Sequence, residues 1–264
     1  MLKVIGIQRA EKFSPNSVEK DRAILEAVVS HFNGKIISEE DNNLSDFALS
    51  IKPDIVFTMA RDGRTLDLLD ELEEKGTKVI NPAEGVRNCQ RSRLDKLMKE
   101  NNLPVPPTIN SGHGWWLKRG DAAAQSHADV VFCKDEESLV KAKKDFCQRG
   151  ITDMVVQAHI PGDLVKFYGV EGSGFFRTCY PSDDGQSKFG DEKINGESHH
   201  YFYDKGYLQS IAERTSRLVN TPVYGGDAII KSDGDFVIID FNDWPSFSRC
   251  RDEAAVAIAS LARY

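Results

Sequence analysis

The stretch DAIIKSDGDFVIIDFN, Asp227 to Asn242, constrains this 264-residue chain more than any other segment. Two β-branched apolar runs flank Asp233-Gly234, and Asp-Gly between such runs is the preferred two-residue reversal of a β-hairpin. A two-residue loop fixes the register: Ile230 opposite Val237, Ala228 opposite Ile239, and Asp227 opposite Asp240. Asn242 lies two residues beyond Asp240 and so on the same face. Directly opposed residues of an antiparallel pair have Cβ atoms about 4.5–5.5 Å apart. Two carboxylates so placed repel, and a divalent cation removes the conflict. Two carboxylates and an amide oxygen suit Mg²⁺. The same spacing also fits two aspartates that cap strand ends in water and hold no ion.

The segments before the hairpin predict an α/β protein. LKVIGI (2–7), PDIVFTMA (53–60) and TKVINP (77–82) read as short buried strands. Apolar residues from Val18 to Phe32, and again from Leu66 to Leu72, recur at helical spacing. Strand alternating with helix implies a small parallel sheet with helices on its faces. A helix is expected from about Glu84 to Asn101, broken by LPVPP (103–107), because proline cannot continue a helix. WWLK (115–118), DVVFC (129–133) and DMVVQAHI (153–160) then predict a smaller sheet, with a helix over Glu136–Gln148. LVKFYGVEG and GFFRTCY predict two further strands joined by a Gly-containing turn. Residues 182–200 read as a polar loop, and an amphipathic helix over Leu208–Val219, the hairpin and an alanine-rich helix complete the chain.

Composition excludes several classes. Hydrophobic residues make up 40% and charged residues 28%, ordinary for a globular protein. No apolar run approaches the ~20 residues a membrane-spanning helix needs. The N-terminus lacks the pattern of a secretory signal. The five cysteines form no CxxC pair and predict no disulfide framework, so a reducing cytoplasm is the expected compartment. A net charge of −7 argues against nucleic-acid binding. A polyanion such as ATP can still bind where basic side chains concentrate, and Lys118, Arg119, Lys166, Arg249 and Arg251 are candidates. No GxxxxGK[ST] loop and no GxGxxG after the first strand are present.

Asp–x₁₂–Asp–x–Asn on a closing hairpin resembles the metal-binding end of ATP-grasp enzymes, with Asp240 where Glu is usual. DFNDWPSF is similar to their (E/D)-x-N-x-x-P-G-x turn, with Ser246 in place of Gly. VINPAEGVRNCQRSRLDKLMKENNLPVPPT resembles the entry to the ATP-grasp core, and VVQAHIPGDLVKFYGV the hinge between its lobes. The likeness spans roughly residues 78–249, in the family's order. It implies an N-terminal α/β lobe (1–83) before an ATP-grasp core (84–264), with a small lobe at about 105–160 and a large lobe at about 161–264 plus the 84–101 helix. It also implies that Lys96 and Lys118 reach phosphates. Gln157, with the backbone of Ala158 and Ile160, would hold the adenine, and Asp163 the ribose hydroxyls. Lys166 would face the phosphates, and Asp227, Asp240 and Asn242 would bind one or two Mg²⁺, with Mn²⁺ as an alternative ion. Two features depart from the family: RGDAAAQSHAD (119–129) has one glycine where a Gly-rich loop is usual, so either Gln125 or His127 would do the clamping or the loop is shortened, and Tyr224-Gly225-Gly226 stands where an arginine often precedes the first metal aspartate.

The implied activity is an ADP-forming carboxylate–amine ligase acting through an acyl phosphate. Lys118, Lys166 and Arg249 would be its catalytic residues, and ATP with a small carboxylate and an amine its substrates. Arg249 could instead form a salt bridge to Asp243 or Asp252. No nucleic-acid or membrane partner is expected, and a homodimer stays open. The same motifs also resemble the inositol-phosphate kinase branch, for which Arg177, Lys188, Lys193 and Arg249 would have to form a basic patch. A nucleotide-binding protein with degenerate chemistry is the third reading. His199-His200 reads as a solvated pair, and His159 as a hinge residue pointing away from the adenine.

Overall fold

The computed structural model describes residues 2–109, 112–121, 126–184 and 194–263. The N-terminal lobe is a four-stranded sheet in the order β2-β1-β3-β4, parallel throughout. Its strands are β1 (Val4–Gln8), β2 (Lys35–Ser38), β3 (Ile55–Thr58) and β4 (Lys78–Ile80). Helices α1 (Val18–Ser30), α2 (Leu44–Ile51) and α3 (Gly63–Glu74) connect them. β2 and α2 lie in a stretch, 35–52, for which the residue pattern led to no expectation. β2 is only half-buried, and α2 is eight residues long, so neither carries a long periodic signal.

The helix expected over 84–101 is two helices, α4 (Ala83–Asn88) and α5 (Arg91–Glu100). The break at Cys89-Gln90 lets each bury a different face. Gly85 of α4 packs so closely on the α7 terminus described below that a Cβ there would lie 2.0 Å from the Asn220 carbonyl oxygen. α5 buries Leu94 and Met98.

A three-stranded antiparallel sheet follows, β6-β5-β7, built from β5 (Trp115–Arg119), β6 (Val130–Cys133) and β7 (Met154–Ala158). α6 (Glu136–Gln148) covers one face and buries Phe146 against Leu117. Asp135 caps α6 by accepting from the Ser138 N–H. The large lobe is a four-stranded antiparallel sheet, β11-β10-β8-β9. It comprises β8 (Asp163–Val170), β9 (Phe175–Cys179), β10 (Val223–Ile230) and β11 (Phe236–Asp243). α7 (Lys205–Val219) packs on its inner face together with α5, through Leu208, Leu94, Phe167 and Tyr224. α8 (Arg251–Ser260) returns to the N-terminal lobe, where Ile258 and Trp244 join Ile24 and Phe57 in one core. No described helix is long and apolar enough to cross a membrane.

The β10–β11 hairpin departs from its expected geometry. The Lys231 N–H donates to the Asp235 carbonyl, Gly234 takes φ +87°, and Ile230 pairs with Phe236. This is a three-residue loop with glycine in the left-handed position, not a two-residue turn. The register is therefore one residue off from that expected, with Ala228 opposite Ile238. A bulge between Asp227 and Ala228 then inserts Ile239 and restores Asp227 opposite Asp240.

Candidate active site

The bulge decides which way Asp240 points. Phe236 and Ile238 face the core, and in a regular strand their parity would carry Asp240 inward with them. The extra residue reverses the parity. Phe241 now enters the core, whereas Ile239, Asp240 and Asn242 face a cleft between the two antiparallel sheets. Gly226 makes room for this: a Cβ there would lie 2.4 Å from the Asp240 carbonyl oxygen.

Register builds the floor of the cleft. Lys166 of β8 pairs with Asp227 of β10, and Asp227 with Asp240 of β11, so the three side chains form one row across the sheet. Lys166 Nζ lies 3.1 and 3.3 Å from the two Asp227 carboxylate oxygens. Asn242 Nδ2 donates to Asp240 Oδ2 at 3.2 Å. From the opposite sheet, Lys118 Nζ donates to the Ile239 carbonyl and to Gln157 Oε1, both at 2.8 Å. The carbonyl exposed by the bulge thus anchors the lysine of the small lobe. Gln157 Nε2 in turn donates to Asp95 Oδ1 at 3.0 Å, which fixes the orientation of the amide.

Electrostatics follow from this packing. Burial, with Arg91 nearby, pushes the Lys118 ammonium down to about 8, against the opposing pull of Asp240, Asp227 and Asp95. Burial pushes the Asp240 carboxyl up, but Arg91, Lys118, Asn242 and Lys166 outweigh it and hold the group below its ordinary value. Asp240 therefore remains a half-buried carboxylate with Arg91, Lys118 and Lys166 around it.

The donor chemistry fits a hard cation. Among the described residues no group of three His, Cys, Asp or Glu side chains could hold a metal. An ion here would rest on Asp227, Asp240 and the Asn242 amide oxygen, the remainder of its shell being water or substrate oxygens, as Mg²⁺ prefers.

The cleft measures about 580 Å³, and Lys118, Gln157, Ala158, Ile160, Lys166, Asp227, Asp240, Asn242 and Arg249 all line it. The Ala158 N–H donates to the Pro107 carbonyl at 2.7 Å. Two expected residues are elsewhere. Lys96 stands on the outer face of α5, its side chain 74% exposed, beside Glu100. One helical turn earlier, Arg91 lines the cleft beside Lys118 and Asp240, held through Nη1 to the Arg119 carbonyl at 2.8 Å. Asp163, expected at the ribose hydroxyls, already has protein donors on its carboxylate. Its side chain is fully buried and accepts from the N–H groups of His199 and Tyr201 at 2.7 and 2.9 Å. It ties the 199–201 segment to the hinge.

Other candidates fall as follows. Arg177 pairs with Glu253 and does not line the cleft. Lys188, Lys193 and Gln125 lie outside the described residues, while His127 lines the cleft. His159 also lines it, accepting from Trp116 Nε1 at 3.1 Å. His199 stacks on Tyr201 and His200 lies 3.4 Å from Asp183. Asp243 pairs with Arg61 of the N-terminal lobe, through contacts of 2.5 and 3.3 Å. Neither Arg61 nor Arg9, which donates to the Trp244 carbonyl at 2.7 Å, carried a signal in the sequence, because their partners are more than 180 residues away.

Two antiparallel sheets closing on such a cleft after a parallel N-terminal lobe define the ATP-grasp fold. Comparison with solved structures gives the same result at low identity. D-alanine–D-alanine ligase from Bacillus anthracis is 10% identical over 100% of this chain and 98% of its own, with a TM-score of 0.67, and its complex with ATP is similar at 0.66. A RimK-domain ATP-grasp protein from Sphaerobacter thermophilus is 18% identical over 99% of this chain and 100% of its own, with a TM-score of 0.63. The biotin carboxylase domain of Hydrogenobacter thermophilus 2-oxoglutarate carboxylase, bound to MgADP and bicarbonate, is 13% identical over 98% of this chain and 70% of its own, with a TM-score of 0.60. By sequence alone, no family model and no curated protein matches the chain.

Proposed function

We propose that the protein is an ADP-forming carboxylate–amine ligase that uses Mg·ATP. The observation that carries this reading is the row Lys166–Asp227–Asp240 on one sheet facing Lys118 on the other. Gln157, Ala158 and Ile160 line the part of the cleft suited to a flat base, with Leu164 and Ile229 as apolar walls. Arg91 and Lys118 neutralise phosphate charge, with Arg91 in the role that Lys96 was expected to fill. Asp227, Asp240 and Asn242 would hold one or two Mg²⁺, which when bound would supply positive charge against the charge developing in phosphoryl transfer.

The chemistry needs no side-chain nucleophile. An oxygen of the substrate carboxylate attacks the γ-phosphorus, and the bond to the β–γ bridging oxygen breaks, releasing ADP. The resulting acyl phosphate is attacked at carbon by an amine, and inorganic phosphate leaves as the amide forms. The protein positions the reactants and supplies fixed positive charge from Lys118, Lys166 and Arg249. The nucleotide complexes of the similar ligase and carboxylase support the nucleotide assignment. A kinase would need a dense basic patch beside the metal, and Arg177, one of its candidates, pairs with Glu253 instead.

The test follows ADP and phosphate release from Mg·ATP with pools of acids and amines. A ligase releases phosphate only when both are present, and Asp240→Asn lowers ADP formation by at least about 100-fold, the scale expected when a group acting on the transferring phosphoryl is lost. Intact turnover in Asp240→Asn refutes the metal assignment.

A further inference from the structure

The cleft face of the small lobe changes character along its length. Trp116 pairs with Phe132 and Gln157, and Lys118 with Val130 and Val155, so these six side chains share one face of the sheet. The His159 N–H donates to the Gly114 carbonyl at 2.9 Å, which carries the pairing one step past Trp115–Ala158 and puts His159 on the same face as Gln157. Lys118 therefore marks one end of this face, and three rings, Trp116, Phe132 and His159, the other. The ring centroids lie 5.3, 5.4 and 6.1 Å apart. Expected to point away from the adenine, His159 instead lines the cleft with Trp116, only 8% exposed. Its neighbour fixes its chemistry. An indole nitrogen only donates, so the 3.1 Å contact with Trp116 Nε1 makes Nδ1 the acceptor and leaves the ring's proton on Nε2. Burial, with His113 nearby, holds the pKa below its ordinary value and favours this neutral form. Nε2 makes no hydrogen bond among the described residues, and it is not sealed from solvent. Gln157, next on the same face, has both ends of its amide engaged, by Lys118 and Asp95. His159 thus offers the cleft a donor whose tautomer is set before any ligand arrives.

We infer that His159 is a specificity-determining residue for the nucleobase: its Nε2–H donates to a ring nitrogen of the purine beside Trp116, while Lys118, further along the same face, meets the phosphates. Adenine offers N1, N3 and N7 as acceptors, whereas its amino group only donates. A base with no nitrogen at that place would leave a desolvated donor unpaired, and this cost is the source of the selectivity. The role deepens the Mg·ATP reading of the cleft and rests on it.

The experiment is calorimetric titration of the full chain, in Mg²⁺, with ADP and with 1-deaza-, 3-deaza- and 7-deaza-ADP, each of which replaces one of those nitrogens by C–H. It is repeated with His159→Asn, whose short amide can accept from Trp116 but stops before the cleft, and with His159→Gln, whose longer amide brings an N–H to the place of Nε2. Thermal unfolding checks that both variants fold. One analogue is expected to bind the wild-type chain about 5-fold or more weaker than ADP, the scale of a donor left unpaired, and that analogue identifies the nitrogen. His159→Asn should weaken ADP by a similar factor and abolish the analogue's penalty, and His159→Gln should restore part of the ADP affinity. A packing role alone would weaken all four nucleotides together and leave the penalty in place. No penalised analogue in the wild-type chain, a penalty that persists in His159→Asn, or ADP affinity unchanged in His159→Asn overturns the role of His159 and leaves the Mg·ATP reading standing. No binding of Mg·ADP to the wild-type chain refutes that reading, and the base contact with it.

Discussion

The buried pair Arg61–Asp243 joins the N-terminal lobe to the end of β11, and its removal should be costly in a direction that a second substitution reverses. Asp243 is 4% exposed, and Arg9 lies near enough that Arg61, after burial, lowers its pKa while Asp21, Asp243 and Glu39 raise it. Asp243→Asn removes one charge and leaves two buried guanidinium groups with Asp21 as the main counter-charge. Breaking such a pair by removing one partner costs about 3–5 kcal/mol, and the retained amide oxygen places this case near the lower figure. At about 2–4 °C per kcal/mol for a chain of this size, the unfolding midpoint should drop by about 6–12 °C. Arg61→Met in the same background relieves the uncompensated charge, because a buried ion pair replaced by apolar groups is often neutral in stability. The double variant should therefore be more stable than Asp243→Asn alone. Urea unfolding followed by the fluorescence of buried Trp244, with a thermal scan beside it, measures both effects. A loss below about 1 kcal/mol in Asp243→Asn, or a double variant no better than the single one, refutes the reasoning.

Three further outcomes are expected. Arg91→Ala should weaken Mg·ADP binding at least about 10-fold, whereas Lys96→Ala should leave it unchanged by titration, since only Arg91 lines the cleft. Gly226→Ala should cost about 1–3 kcal/mol in urea unfolding and abolish Mg·ATP turnover, because its Cβ would displace the Asp240 backbone. Lys118, held down at about 8, is charged below that pH and neutral above it, so Mg·ADP affinity should fall as pH rises from 7 to 9 and the fall should vanish in Lys118→Arg. For stability the sign is opposite: above about 8 the unfolded chain still binds this proton and the folded one does not, so this group makes stability rise with pH towards its ordinary value.

How much of this was legible in the sequence depended on how local each signal was. Strands such as β3 and helices such as α6 carry their period within a few residues. The row Lys166–Asp227–Asp240 was also within reach, since strand register places those residues together. The partners that tune the site were not. Arg91 acts on Lys118 and Asp240 from a helix whose more familiar Asp-Lys pair turns its lysine to solvent and its aspartate to Gln157. The resemblance puts Asp163 at the ribose hydroxyls, and nothing local announces that residues 199–201 return to donate to it.

The hairpin shows why a correct pairing can rest on an incorrect path. Asp233-Gly234 predicts a two-residue loop, and the chain instead places Gly234 as the left-handed residue of a three-residue loop. One residue of slip alone would have turned Asp240 towards Phe167 and Tyr224, where a carboxylate finds only aromatic rings and would lose its hydration without compensation. The bulge at Ile239 cancels the slip and reverses the parity of every residue after it. It also frees a carbonyl that Lys118 takes from the opposite sheet. Nothing in VIID marks that extra residue, because β-branched apolar residues suit both faces of this strand. The requirement comes from both ends: Phe236 and Ile238 must enter the core on one side of it, Phe241 on the other, and an odd insertion is the only way to satisfy all three while keeping Asp240 beside Asp227.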